Sequence, residues 1–133
     1  MTIEYLNIPR PAGAGHPPPL SSAIRAGDFI FVSGQVPRNE QGAMLTTGIE
    51  AQTQQTLKNI IKVLALADCT LDDVVKVTVW LEDANDIAAF NQVYESYFTI
   101  RKPARSTTQA KLVVAAKVEI EAIAYKPSDA TAR

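Results

Sequence analysis

The spacing of apolar residues changes along this chain, and each change predicts an element. From Gly48 to Asp68 the residues Leu57, Ile60, Ile61 and Leu64 recur three and four positions apart, with Gln54, Gln55, Lys58 and Lys62 between them. At 3.6 residues per turn this spacing gathers the apolar side chains into one stripe, which predicts an amphipathic helix. LDDVVKVTVWLED then alternates with period two, placing Val75, Val77, Val79 and Leu81 on one face and Lys76, Thr78 and Trp80 on the other, as a strand does. A second helix is predicted over 86–98, where Ile87, Phe90, Val93, Tyr94 and Phe98 share a side and Arg101, Lys102 and Pro103 close the element. Two further strands follow, over about 106–113 and 117–125. Upstream, RAGDFIFVSGQVP reads as a turn at Ala26-Gly27-Asp28 feeding a strand from Phe29 to Ser33, stopped at Gly34 and Pro37, and NEQGAML suggests a second hairpin arm. PRPAGAGHPPPLSS is too rich in Pro and Gly for regular pairing.

The predicted order β-β-α-β-α-β-β supplies two long helices for five or six strands, enough to cover one face of a sheet. On the last strand Val118, Ile120, Ala122 and Ala124 suit the helices, while Lys117, Glu119, Glu121, Ile123 and Tyr125 point the other way. Phe29, Phe31, Ser33, Thr78 and Trp80 are expected to share that second face. So aromatic a surface is unsuited to a solvated monomer, and it predicts a homo-oligomer packed sheet to sheet with polar clefts between subunits. The stretch KPARSTTQAKLVVAAKVEIEAIAYKP sets Arg105 just before one strand and Glu119 and Glu121 inside the next, so a hairpin is expected to bring the arginine and the carboxylates together.

The length of 133 residues suits a single domain over 1–133, with an irregular N-terminal arm over 1–21 and a flexible tail over 126–133. Thirteen basic and fourteen acidic residues give a net charge of −1, which offers no long-range attraction to phosphate backbones or anionic lipid, so neither nucleic acid nor membrane is an expected partner. With one cysteine, Cys69, and one histidine, His16, the chain has no intrachain disulfide, no His/Cys metal cluster and no serine triad in prospect. A metal site would need carboxylates alone, and none is expected. MTIEYLNIPRPAGAG lacks the basic start and apolar run of a signal peptide, and no apolar stretch approaches the ~20 residues of a membrane span, so the expected location is cytoplasmic.

The segments RAGDFIFVSGQVP, AQTQQTLKNI, VVKVTVWLEDANDIAAFNQVYESYF, KPARS and KVEIEAIAY closely resemble the reactive intermediate deaminase family, also called Rid or YjgF-type proteins, from about Ser22 to Tyr125. The resemblance implies a chorismate-mutase-like α+β fold and a homotrimer with sites in the clefts between subunits. It also implies cofactor-free hydrolysis of enamines or imines such as 2-iminobutyrate and 2-iminopropionate to 2-oxo acids and ammonia.

The residues suit that chemistry. A guanidinium fork matches both oxygens of a carboxylate, which fits Arg105 as the anchor of a 2-imino or 2-oxo acid. Hydrolysis needs a water placed against the C=N carbon, and the resemblance assigns that task to Glu119, the first acid of VEIE, ahead of Glu121. It also aligns Ser33, Gly34 and Thr107 with substrate-facing positions, and Phe90 and Asn91 with the lining of the site. Three departures stand out: Leu20 where many members carry a tyrosine, Thr107 in place of a common cysteine, and Leu112-Val113 where Leu-Pro is usual, with Arg105 and Glu119 one residue closer in sequence. Two other functions fit the same residues. One is deamination of a 2-aminomuconate-like intermediate of aromatic degradation, and the other is a non-catalytic trimer that binds small carboxylates or acts as a chaperone.

Overall fold

The alternation of Val118–Tyr125 becomes strand β6, and in the computed structural model, which describes residues 2–127, its placement organises the rest. β6 lies between β3 (Phe29–Gln35) and β4 (Val74–Leu81), antiparallel to both. Beyond β3 the sheet continues through β2 (Ala23–Ala26) to β1 (Ile3–Leu6), and beyond β4 it ends at β5 (Ala104–Gln109), giving the order β1-β2-β3-β6-β4-β5. The β4–β5 pair is parallel, as a crossover through helix α2 (Ile87–Tyr97) requires. With α1 (Ile49–Ala65) this is an α+β architecture of one mixed six-stranded sheet and two helices.

The helices share one face of the sheet. Ile30, Val32, Val77, Val79, Leu81, Val118, Ile120, Ala122 and Ala124 form a single core with Leu57, Ile60 and Leu64 of α1 and with Phe90, Tyr94 and Phe98 at α2. Within α1 the buried stripe is Ile49, Gln52, Thr53, Thr56, Leu57, Ile60, Val63 and Leu64, so Ile61 falls outside it and two threonines fall within. Asp68, at φ 56°, ends that region in the left-handed conformation, and the Cys69 N–H returns to the Leu64 carbonyl at 3.1 Å. Among the described residues no helix is long and apolar enough to cross a membrane.

Several expectations need correction. The chain from β5 to β6 is not a hairpin, because β4 lies between them and the link over 110–117 carries the chain across its end. β5 begins at Ala104, so it contains Arg105, and it stops at Gln109, leaving Val113 98% exposed in the link. On β4 a register shift between Val74 and Lys76 turns Val74 into the core and Val75 outward, breaking the expected parity at that end. Part of the arm expected to be irregular, Ile3–Leu6, pairs with β2. NEQGAML forms only a single bridge, Arg38 to Met44. Lys126 is tied down, its N–H donating to Asp28 and its carbonyl accepting from Arg25, while residues 128–133 of the expected tail lie outside the described region.

The face away from the helices carries Phe29, Phe31 and Tyr125, with ring centroids 6.5 Å (Phe29–Phe31) and 5.1 Å (Phe29–Tyr125) apart. Ile3 and Tyr5 extend this surface along β1, and all five side chains are exposed in the single chain.

Candidate functional site

Arg105 enters the site from the edge strand. Its Cα partner is Val77, whose side chain is buried beneath the helices, so in a paired register Arg105 shares that face. There its guanidinium carbon lies over two rings of α2, 4.7 Å from the Tyr94 centroid and 5.4 Å from that of Phe90. A cation over an aromatic face is attracted by the ring quadrupole. Among the described residues no carboxylate comes within ion-pair range of it. A half-buried cation thus stands with donors available for a ligand.

Phe90 is fully buried, so it serves as the floor under Arg105 and leaves ligand contact to other groups. Asn91 is half-buried beside it on α2. Thr107 lies two residues along β5 from Arg105, on the same face and exposed. Tyr94 was expected as a core residue only, and its part in holding Arg105 escaped the sequence reading. The signal was present in the four-residue spacing of Phe90, Tyr94 and Phe98, which stacks the three rings at 5.5 and 4.7 Å. The Tyr94 hydroxyl is buried with no hydrogen-bond partner among the described residues. Burial pushes its pKa up to about 12, against the pull of the Arg105 charge.

The acidic half is built on the other face. Glu119 pairs with Trp80 and Glu121 with Thr78, whereas their neighbours Val118, Ile120 and Ala122 point into the core. A register shift between Val32 and Gln35 sets both Ser33 and Gly34 opposite the single residue Glu121. This bulge brings the Gly34 backbone against the Glu119 side chain. A Cβ built on Gly34 would lie 3.1 Å from the Glu119 carboxyl carbon and would overlap Oε2. Ser33 closes the bulge on the N-terminal arm, its hydroxyl donating to the Ser21 carbonyl at 2.6 Å and its N–H to the Ser22 carbonyl at 3.0 Å. Burial, and then the neighbouring charge of Glu121, raise the Glu119 pKa above the ordinary glutamate value.

One chain therefore holds two separate groupings. Arg105, Phe90, Asn91 and Thr107 belong to β5 and α2, while Glu119, Ser33 and Gly34 belong to β6 and β3 on the opposite face. Two inter-strand spacings, roughly 10 Å, separate β5 from β6, and the sheet itself stands between the side chains. Leu20, 60% exposed, joins neither; it borders an open groove of about 1400 Å³ between the arm, the loop at Arg38–Gly42 and α1. Among the described residues no group of three or more His, Cys, Asp or Glu is placed to hold a metal ion.

Comparison with known proteins supports one grouping of relatives. A family model described as endoribonuclease L-PSP matches residues 14–126. A RutC family protein of Pyrococcus horikoshii is 45% identical over 122 residues, covering 90% of this chain and 93% of that protein. The 2-iminobutanoate/2-iminopropanoate deaminase of Mus musculus is 40% identical over 118 residues, covering 87% and 85%. Among solved structures, Escherichia coli TdcF with bound serine superposes with a TM-score of 0.78 at 32% identity, covering 84% of this chain and 91% of that one.

Proposed function

The chain belongs to the Rid/YjgF family, also described as endoribonuclease L-PSP, and on that premise we propose that it is a hydrolytic deaminase of small 2-imino acids such as 2-iminobutyrate and 2-iminopropionate, acting in the cytoplasm. The observation that carries this reading is the Arg105 guanidinium, held over two rings with no carboxylate of the described residues in ion-pair range. Such a group supplies a bidentate anchor for the carboxylate beside the reacting C=N bond. The mouse relative is named for this reaction, and TdcF holds an amino acid, a ligand with the same carboxylate.

In the proposed reaction a water oxygen forms a bond to the imine carbon while Glu119 accepts a proton from that water. The nitrogen takes that proton from Glu119, which gives a neutral carbinolamine; Glu119 then accepts the carbinolamine hydroxyl proton and passes it to nitrogen as the C=O bond forms and the C–N bond breaks, so ammonia and the 2-oxo acid leave. A carboxyl group whose pKa is raised is closer to the working pH and so better suited to accept and return a proton. The Gly34 backbone, lying against the carboxylate, limits where it can swing.

Because the acid and the arginine lie on opposite faces of one sheet, a substrate of this size meets both only where a second copy supplies one of them. We place the site at a cleft between subunits of a homotrimer, with the exposed Phe29, Phe31 and Tyr125 face covered by other copies. The same separation favours one alternative, a carboxylate-binding protein that uses Arg105 without productive water placement. To test the proposal, 2-iminobutyrate generated in situ is mixed with the purified protein and ammonia release is followed against buffer. Acceleration lost in Arg105→Ala supports the enzyme. Binding of 2-oxobutyrate with no acceleration by the wild-type protein overturns it in favour of the binding protein.

A further inference from the structure

Tyr94 is more than nine-tenths buried, yet its hydroxyl has no hydrogen-bond partner among the described residues. Its ring is clamped between Phe90 and Phe98 at centroid distances of 5.5 and 4.7 Å, so it cannot tilt without disturbing the core. Arg105 lies over this clamped ring at 4.7 Å, closer than over the Phe90 ring at 5.4 Å. A protein carboxylate could also hold the guanidinium, but it would occupy the N–H donors and neutralise the charge that a ligand carboxylate needs. A ring face holds the cation and leaves both intact.

We propose that Tyr94 is a positioning residue for Arg105, its ring fixing the guanidinium fork in the orientation that receives a carboxylate. The link to catalysis rests on the deaminase reading; the placement of the arginine does not. The ring carries the effect, and the hydroxyl is dispensable to it.

The test compares the full-length wild type with Tyr94→Phe, which keeps the ring, and Tyr94→Met, which removes it while keeping apolar volume. The Arg105 Nε–H resonance, assigned by its disappearance in Arg105→Lys, is expected to be shifted upfield by ring current in the wild type and Y94F and to lose that shift in Y94M. The Kd for 2-oxobutyrate, measured by calorimetry, is expected to rise about five- to thirtyfold in Y94M, with Y94F recovering most of the loss. On 2-iminobutyrate, Y94M is expected to raise KM more than it lowers kcat. A wild-type Arg105 resonance with no ring shift overturns the proposal, whether or not Y94M folds. So does a folded Y94M that binds 2-oxobutyrate as tightly as the wild type. If the wild type neither binds 2-oxobutyrate nor turns over the imine, the deaminase reading fails on its own, and the resonance still decides whether Tyr94 holds the arginine.

Discussion

Gly34 lies against the Glu119 side chain so closely that a single added methyl group would overlap the carboxyl oxygen Oε2. The glycine is not at positive φ, so alanine meets no backbone strain there, and the displaced atom is the far end of a flexible side chain. Gly34→Ala is therefore expected to move the carboxylate at small cost in stability. On the proposed mechanism kcat for 2-iminobutyrate falls tenfold or more, since misplacements of ~1 Å can cost about a hundredfold, while 2-oxobutyrate affinity changes less. A thermal melt together with steady-state kinetics checks this, and an unchanged kcat contradicts the assigned role of Glu119.

The raised pKa of Glu119 predicts a pH profile. Activity needs the ionised carboxylate, so kcat/KM is expected to rise with pH through a midpoint above the ordinary glutamate value. Glu121→Gln removes the second cause of the shift, and the acid limb should move to lower pH. Measured profiles that coincide for the two proteins count against coupling between the acids.

The same shift acts on stability in the opposite sense. A carboxyl whose folded pKa is raised binds its proton more tightly when folded, so the fold gains stability as pH falls through that raised pKa and the gain is complete below the unfolded value. Glu119→Gln removes the destabilising charge. It is expected to melt no lower than the wild type at neutral pH, with any advantage shrinking as the pH falls through the raised pKa and gone below about 4. Melting curves across pH decide the sign.

Arg105→Lys keeps the charge but loses the fork and the planar group that stacks on Tyr94 and Phe90. A charge-assisted hydrogen bond contributes about 1.5–3 kcal/mol, so 2-oxobutyrate affinity is expected to fall by roughly ten- to a hundredfold. Calorimetry on folded protein measures it, and affinity within twofold of wild type removes Arg105 from the anchoring role.

If the site joins Arg105 of one copy to Glu119 of another, two inactive proteins should rescue each other. Arg105→Ala and Glu119→Gln, unfolded together and refolded as a mixture, are expected to regain activity at about a quarter of the sites by random reassortment. Phe31→Asp, on the exposed aromatic face, is expected to yield smaller particles by light scattering and to lose turnover with them. A mixture no more active than its components argues against a shared site.

The sequence by itself determined the elements and the faces of the central strands. Period-two alternation over Val118–Tyr125 put Glu119 and Glu121 away from the core, and the three- and four-residue spacing marked both helices, because burial on one side leaves a local periodic record. It also offered Arg105 and Glu119 as candidate chemical groups, through their types and the motifs around them. Strand order left no such record. The parallel pairing of β5 to β4 depends on contacts among residues distant in the chain, so the expected hairpin between Arg105 and Glu119 gave way to two separate groupings on opposite faces. The bulge that seats Gly34 against Glu119, and the approach of Tyr94 to Arg105 across the β5–α2 seam, likewise arise only when separate elements pack. Local preference decided what each segment became; which side chains met was decided by the tertiary fold.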